Sequence, residues 1–173
     1  KRTNWKNFGP RFGMAFDPAT GILWETENAD DAFSELNRTF PGMNGGWIQL
    51  AGPAARFAQF NQIETTLYNS SLQQVRYPPT RIAYTAPEAL SRLFMLPGAV
   101  YSDPDFSWKF EIGPSGTTFV TGNALGPEYN GTLWIGSARS NQQVGGNGGS
   151  LYRFKMTPDR QHVDVSADPR LAD

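Results

Sequence analysis

Three short phrases occur twice in this chain, in the same order. Gly13-Met14-Ala15-Phe16 is echoed by Gly116-Thr117-Thr118-Phe119, and Gly21-Ile22-Leu23-Trp24 by Gly131-Thr132-Leu133-Trp134. Glu35-Leu36-Asn37-Arg38 is echoed, more loosely, by Ser150-Leu151-Tyr152-Arg153. The copies drift apart along the chain because the loops of the second copy, 121–130 and 138–149, are longer. Elements kept in order while loops vary are the mark of stacked structural units.

Each copy reads as strands and tight turns. Phe12, Met14 and Phe16 alternate with Gly13 and Ala15, the period of a strand. Asp17-Pro18-Ala19-Thr20-Gly21 is a turn, since Pro presets φ and Gly accepts a positive one. Ile22–Thr26 reads as the next strand and Ser34–Phe40 as a third. Pro41-Gly42-Met43-Asn44-Gly45-Gly46 turns the chain, and Trp47-Ile48-Gln49-Leu50 reads as a short fourth strand. A Gly- and aromatic-marked meander of this size suggests a blade of a β-propeller. The expected layout is a blade over about 11–50, an insertion over about 51–105, and a second blade over about 106–166 that opens with the alternating Phe106, Trp108, Phe110 and Ile112. Within the insertion, 53–68 is predicted helical, with Ala54, Phe57, Ala58 and Ile63 on one face. A second helix is predicted over 87–95, with Pro at its start and Pro97-Gly98 beyond its end.

Composition narrows the function. Fifteen Lys and Arg stand against sixteen Asp and Glu, a net charge of −1, which gives no global attraction to nucleic acid. No apolar run is long enough for a membrane-spanning helix. The absence of Cys removes disulfides, thiol nucleophiles and Cys-based zinc sites. A single His, His162, rules out a His-rich metal site or a two-His acid–base pair within these residues. Its surroundings, Arg160-Gln161-His162-Val163-Asp164-Val165, alternate like an outer strand and make it a surface or packing residue. The chain opens on Lys1 with no leader pattern before it, as an internal piece or a trimmed form would.

The ordered series of motifs resembles the soluble glucose/sorbosone dehydrogenase family. It runs from Phe12-Gly13-Met14-Ala15-Phe16-Asp17-Pro18 through Gly21–Asn28, Glu35-Leu36-Asn37 and Pro41–Trp47. It resumes at Tyr101-Ser102-Asp103-Pro104-Asp105-Phe106-Ser107-Trp108 and ends with Gly131–Gly136 and Leu151–Phe154. The resemblance implies an all-β fold: antiparallel four-stranded blades of a six-bladed β-propeller, incomplete in this chain, with a partly helical insertion. It also implies oxidation of an aldose sugar or related alcohol by pyrroloquinoline quinone (PQQ), anchored by calcium. The partners would be a small sugar substrate and the rest of the propeller domain, and the location periplasmic or extracellular.

Residue by residue, the family's calcium-binding backbone pair falls on Ala29 and Asp30, with Glu35 as a further candidate ligand. The family's late arginine corresponds to Arg139. Gly9 and Pro10 stand where relatives have an Arg-Asn pair at the quinone, and Arg11 is the nearby cation. The family's general-base His lies upstream of the matched region, so the chain alone is expected to be inactive.

Other readings compete with these. The cluster Glu25, Glu27, Asp30, Asp31 and Glu35 is either a calcium site or a solvated acidic loop; its spacing is not that of an EF-hand. Glu27 and Asp30 could be a glycosidase carboxylate pair only at a separation of about 5–9.5 Å. Gly145–Gly149 lacks the Lys-Ser/Thr of a phosphate loop and reads as a hairpin loop, with Asn141, Gln142 and Gln143 reaching toward a ligand. Trp24, Trp47 and Trp134 hold repeat positions and are expected in inter-blade packing; Trp5 and Trp108 are candidates for exposure. A non-catalytic binding module is the alternative to an enzyme. Exposed Phe57, Phe60 and Phe94 would favour a piece that docks to a partner.

Overall fold

A computed structural model describes residues 11–29, 32–47, 49–66, 83–138, 149–168 and 171. They form a mostly β structure with antiparallel sheets and few helices. The first sheet joins β1 (Arg11–Phe16), β2 (Leu23–Glu27) and β3 (Ala32–Thr39) as a meander. The second joins β7 (Pro114–Phe119), β8 (Leu133–Ser137) and β9 (Ser150–Phe154) in the same way. The three echoed phrases are therefore the matching strands of two sheets. No closed ring of sheets forms among the described residues.

The fourth strand of the first sheet comes from far along the chain. It is β6 (Phe106–Phe110), antiparallel to β3 with Leu36 opposite Phe106 and Ala32 opposite Phe110. Trp47, Gln49 and Leu50, predicted in a fourth strand, lie in none: the Gln49 and Leu50 N–H groups both bond the Gly46 carbonyl. The long excursion thus leaves after β3 and returns to the same sheet, rather than separating two finished blades. A parallel pair, β4 (Met43–Asn44) with β5 (Val100–Tyr101), ties its base.

The excursion has its own core. A 3₁₀ turn over Ala54–Arg56 runs into α1 (Phe57–Thr66), which buries Phe57, Phe60 and Ile63 against Phe33, Leu50 and Ala51. Ala58, expected on the buried face, is exposed. The helix α2 (Ala86–Ser91) starts where Thr85 caps it, its hydroxyl accepting from the Glu88 N–H, and it ends four residues earlier than the predicted helix. Gly52 makes the packing possible. It sits at φ +76°, and a Cβ there would overlap the Phe33 ring.

The two sheets pack face to face. Strand alternation sends Trp24, Leu36, Phe106 and Trp108 to one face of the first sheet. There they meet Phe119, Leu133 and Ile135, with Tyr152 and Phe154 alongside. Trp108, a candidate for exposure, lies edge-on to Tyr152 at 5.2 Å and to Phe154 at 5.9 Å between ring centroids. The first strands of the two sheets, β1 and β7, touch so closely that a Cβ on Gly13 would overlap the Ser115 carbonyl and the Thr117 side chain.

One ion pair locks this arrangement. Arg160 grips the fully buried Asp17 carboxylate with two bonds, of 2.7 and 2.8 Å, and also donates to the Gly131 carbonyl at 3.0 Å. Burial alone would raise the Asp17 carboxyl. The Arg160 guanidinium, with bonds from Ala19 N–H and the Thr20 hydroxyl, outweighs it and holds the group below its usual value.

Asp17→Ala leaves the guanidinium without its carboxylate, so folding stability should drop by about 3–5 kcal/mol, read from urea unfolding midpoints. The folded value of Asp17 lies below the unfolded one. Its contribution is therefore complete above about pH 4 and is lost as pH falls through the folded value. The acid limb of the stability curve should flatten in Asp17→Asn; an unchanged limb would deny the pair this role.

Candidate functional site

One end of the two sheets brings together the Arg11 backbone, Glu27, Asn28 and Ala29. The backbone of Arg11 opens β1 opposite Glu27, the last residue of β2. Asn28 and the buried Ala29 follow directly. Asn28 Oδ1 accepts the Gly113 N–H at 3.1 Å, and the Gly113 carbonyl accepts the Ala138 N–H at 2.8 Å. The start of β1, the β2–β3 loop, the link between the sheets and the end of β8 thus meet at one rim. The Ser34 hydroxyl fixes that link from below by accepting the Ile112 N–H at 3.2 Å. Asp30, Asp31, Arg139, Gly9, Pro10, Trp5, Asn141, Gln142 and Gln143 lie outside the described residues, as do the Arg11 side chain and most of the glycine-rich loop.

Beneath the rim runs a row of acids. Register places Glu27 opposite Glu35 and Glu25 opposite Asn37, so all four share the sheet face away from the second sheet. All four are buried. Glu35 Oε1 accepts the Gly52 N–H at 2.5 Å and Oε2 accepts the Asn37 side-chain amide at 3.1 Å. Burial pushes the Glu35 carboxyl up to about 7; the two hydrogen bonds oppose this, and the charges of Glu25 and Asp103 add to it. Next to it, burial and the bond to Asp103 raise the Tyr101 hydroxyl.

These contacts decide what the rim can hold. Calcium takes six to eight oxygen ligands. Glu35 points into the protein and spends both oxygens on Gly52 and Asn37, which makes it an internal strut. No group of three metal-ligating side chains occurs among the described residues. Of the three calcium candidates, Glu35 is thus committed to internal bonds, the buried Ala29 follows β2 at the rim, and Asp30 lies outside the described residues. The backbone brings Arg11 and Ala138, the chain neighbour of Arg139, to the same end of the sheets.

A second constellation has no counterpart among the sequence candidates. His162 is exposed, and its Nδ1–H donates to Asp105 Oδ1 at 2.6 Å; the Val163 N–H donates to Asp105 Oδ2 at 2.7 Å. The segment around it is a turn with an isolated bridge, Met156 to Val163, rather than a regular outer strand. The partners stand 57 positions apart, so no local pattern announces them. Of the three phenylalanines that would mark a docking piece, Phe57 and Phe60 are buried and Phe94 is exposed.

No protein-family model matches the chain. A curated protein of Synechocystis sp., slr1608, is 27% identical over 124 residues, which is 72% of this chain and 23% of that protein. Two solved structures of glucose dehydrogenase overlay it with TM-scores of 0.52 and 0.53 at 22% identity, covering 87% of this chain and 31% and 32% of theirs. The chain thus spans about a third of the length of the dehydrogenases it resembles and under a quarter of slr1608. The likeness is one of fold: this chain has the backbone arrangement of part of a glucose dehydrogenase.

The Glu35 value has a measurable consequence. A carboxyl raised in the folded state favours folding most below its unfolded value and loses that advantage as pH rises through about 7. Stability should fall as pH rises from about 4.5 to about 7 and level off above that. Glu35→Gln, which keeps an acceptor for Gly52, should flatten this limb in urea titrations. An equal slope in both proteins would place the titration elsewhere.

Proposed function

We propose that this chain forms two neighbouring blades of a six-bladed propeller whose parent protein oxidises an aldose sugar or related alcohol with PQQ, in a periplasmic or extracellular setting. The observation that carries the reading is the meeting of Arg11, Ala29 and Ala138 at one rim, within a fold shared with glucose dehydrogenases. Bound PQQ would supply the quinone that accepts hydride from the sugar. The part assigned to this chain is binding, with Arg11 and Arg139 as the candidate cations for an anionic cofactor.

The chain supplies no histidine base there. Its one histidine, His162, binds Asp105 just before β6, and that strand runs five residues before its end reaches the rim. The base belongs to the rest of the parent protein, and this chain alone is inactive. The calcium part of the reading rests on the Ala29 carbonyl and Asp30.

The open face of the first sheet suits a ring. Met14 and Phe16 point away from the second sheet and are 56% and 67% exposed. Phe16, Leu23, Phe40 and Met43 line an apolar hollow of about 600 Å³ beside them. The preceding blade is the proposed cover. A second reading, a propeller module without redox chemistry, draws on the row Glu25, Glu27 and Glu35, whose acids would repel an anionic quinone.

The complete parent protein should be titrated with PQQ, with and without calcium, following quinone absorbance and dye-linked aldose oxidation. Saturable binding that weakens in Arg139→Ala, with sugar-dependent turnover, is the expected result. A folded parent that binds no PQQ at high micromolar concentration would leave the binding-module reading. Phe16→Asp should lower the parent's folding stability by about 2–3 kcal/mol if the neighbouring blade covers that face. No change in stability would show the face to be open.

A further inference from the structure

The repeat sets three pairs of equivalent positions on corresponding faces of the two sheets. Gly13 corresponds to Gly116, Trp24 to Trp134 and Leu36 to Leu151. Register repeats as well: Trp24 lies between Ala15 and Arg38, as Trp134 lies between Thr118 and Arg153. Strand alternation puts each set of three on one face of its sheet.

The first set is covered and the second is open. Trp24 and Leu36 are fully buried against the second sheet, and β7 crowds Gly13 so closely that no side chain fits. Leu151, by contrast, is 63% exposed and Trp134 is half-buried. A Cβ on Gly116 would meet nothing within 4 Å. Glycine weakens a strand, and its usual reason there is the close approach of another backbone. At Gly13 that reason is present; at Gly116 the glycine stands without it. The contact between the two sheets is also head-to-tail, the front of one on the back of the next, and such a contact does not close after two units. A small ligand needs a concave site, whereas Gly116, Trp134 and Leu151 lie across a sheet face. A further sheet fits them.

We propose that the face carrying Gly116, Trp134 and Leu151 is covered in the parent protein by a third sheet, whose first strand crosses Gly116 as β7 crosses Gly13. The proposal rests on the reading of this chain as part of a longer propeller, but not on its cofactor chemistry. The first seam states the chemistry of the cover. Aliphatic and aromatic side chains, in the places of Phe119, Leu133 and Ile135, meet Trp134 and Leu151. A side-chain acceptor meets Arg153, since the equivalent Arg38 donates to Gln161 Oε1 at 3.0 Å. Val120 follows Phe119 where Asp17 follows Phe16, so the second sheet offers no carboxylate at that place and apolar contact holds the seam.

The chain has no cysteine, so Leu151→Cys places one thiol at a known point of this face. Its labelling by N-ethylmaleimide is followed by peptide mass spectrometry in the complete parent protein, folded and unfolded in urea. Labelling in the folded parent should be about tenfold slower or more. Adding Gly116→Val, with the fold checked by circular dichroism, should abolish most of that protection; if this variant fails to fold, the single variant decides. Equal rates in the folded and unfolded parent, or unchanged protection in folded Gly116→Val, would overturn the proposal. Protection that grows with protein concentration would assign the face to a second copy and overturn it too. A protected thiol in a parent that binds no PQQ would leave this proposal standing and sink the cofactor reading; an unprotected thiol in a parent that binds PQQ would do the reverse.

Discussion

One guanidinium ties the turn ends of the two sheets together. Arg160 reaches the turn between β1 and β2 through Asp17, and the hairpin before β8 through the Gly131 carbonyl. The residue itself sits at φ 57°, a strained setting for a side chain larger than glycine. A buried carboxylate is costly unless paired, and a bidentate arginine is its best partner. The pair closes the end of the core in which Trp24 and Leu36 meet Leu133 and Ile135. At the opposite end the same sheets are held by neutral bonds, Gly113 to Asn28 and Ala138 to Gly113. Charge sits where the structure is closed, and backbone hydrogen bonds sit where loops gather.

The first sheet uses its two faces differently. One is aromatic and apolar and disappears into the second sheet. The other carries Glu25, Glu27, Glu35 and Asn37 in a cross-strand row. Burial above all raises the Glu35 carboxyl, and the nearby charges of Glu25 and Asp103 add to it. The Gly52 N–H and the Asn37 amide keep that carboxyl bonded, so the row ties the insertion to the sheet instead of opening toward the rim.

Local patterning made the repeated strands legible, because Gly, an alternating run and an aromatic are features of a few adjacent residues. It could not show that Phe106–Phe110 completes the first sheet. That pairing spans the whole insertion, and an alternating strand looks the same whichever neighbour it joins. Trp47–Leu50 has a strand's composition, yet Gly46 accepts two backbone bonds there and curls the chain. Trp24 was readable as packing from its repeat position. Trp108 was not, since its partners Tyr152 and Phe154 belong to the other sheet. At the site, the acidic cluster was visible, but its burial was not: Glu35 looks like any strand-edge carboxylate until Gly52 arrives from seventeen residues away.

Asp103-Pro104-Asp105 shows how one tripeptide can serve two structures. Each carboxylate faces a different neighbour, and proline limits the backbone between them. Asp103 anchors the helix start, and its charge reaches Glu35. Asp105 anchors the His162 turn, and its own N–H bonds the Leu36 carbonyl at the head of β6. From there β6 runs to Phe110, opposite Ala32, and so to the link that meets Asn28. The Asp105–His162 pair and the rim thus lie at the two ends of one strand, and the residues that hold the first also set the register on which the second is built.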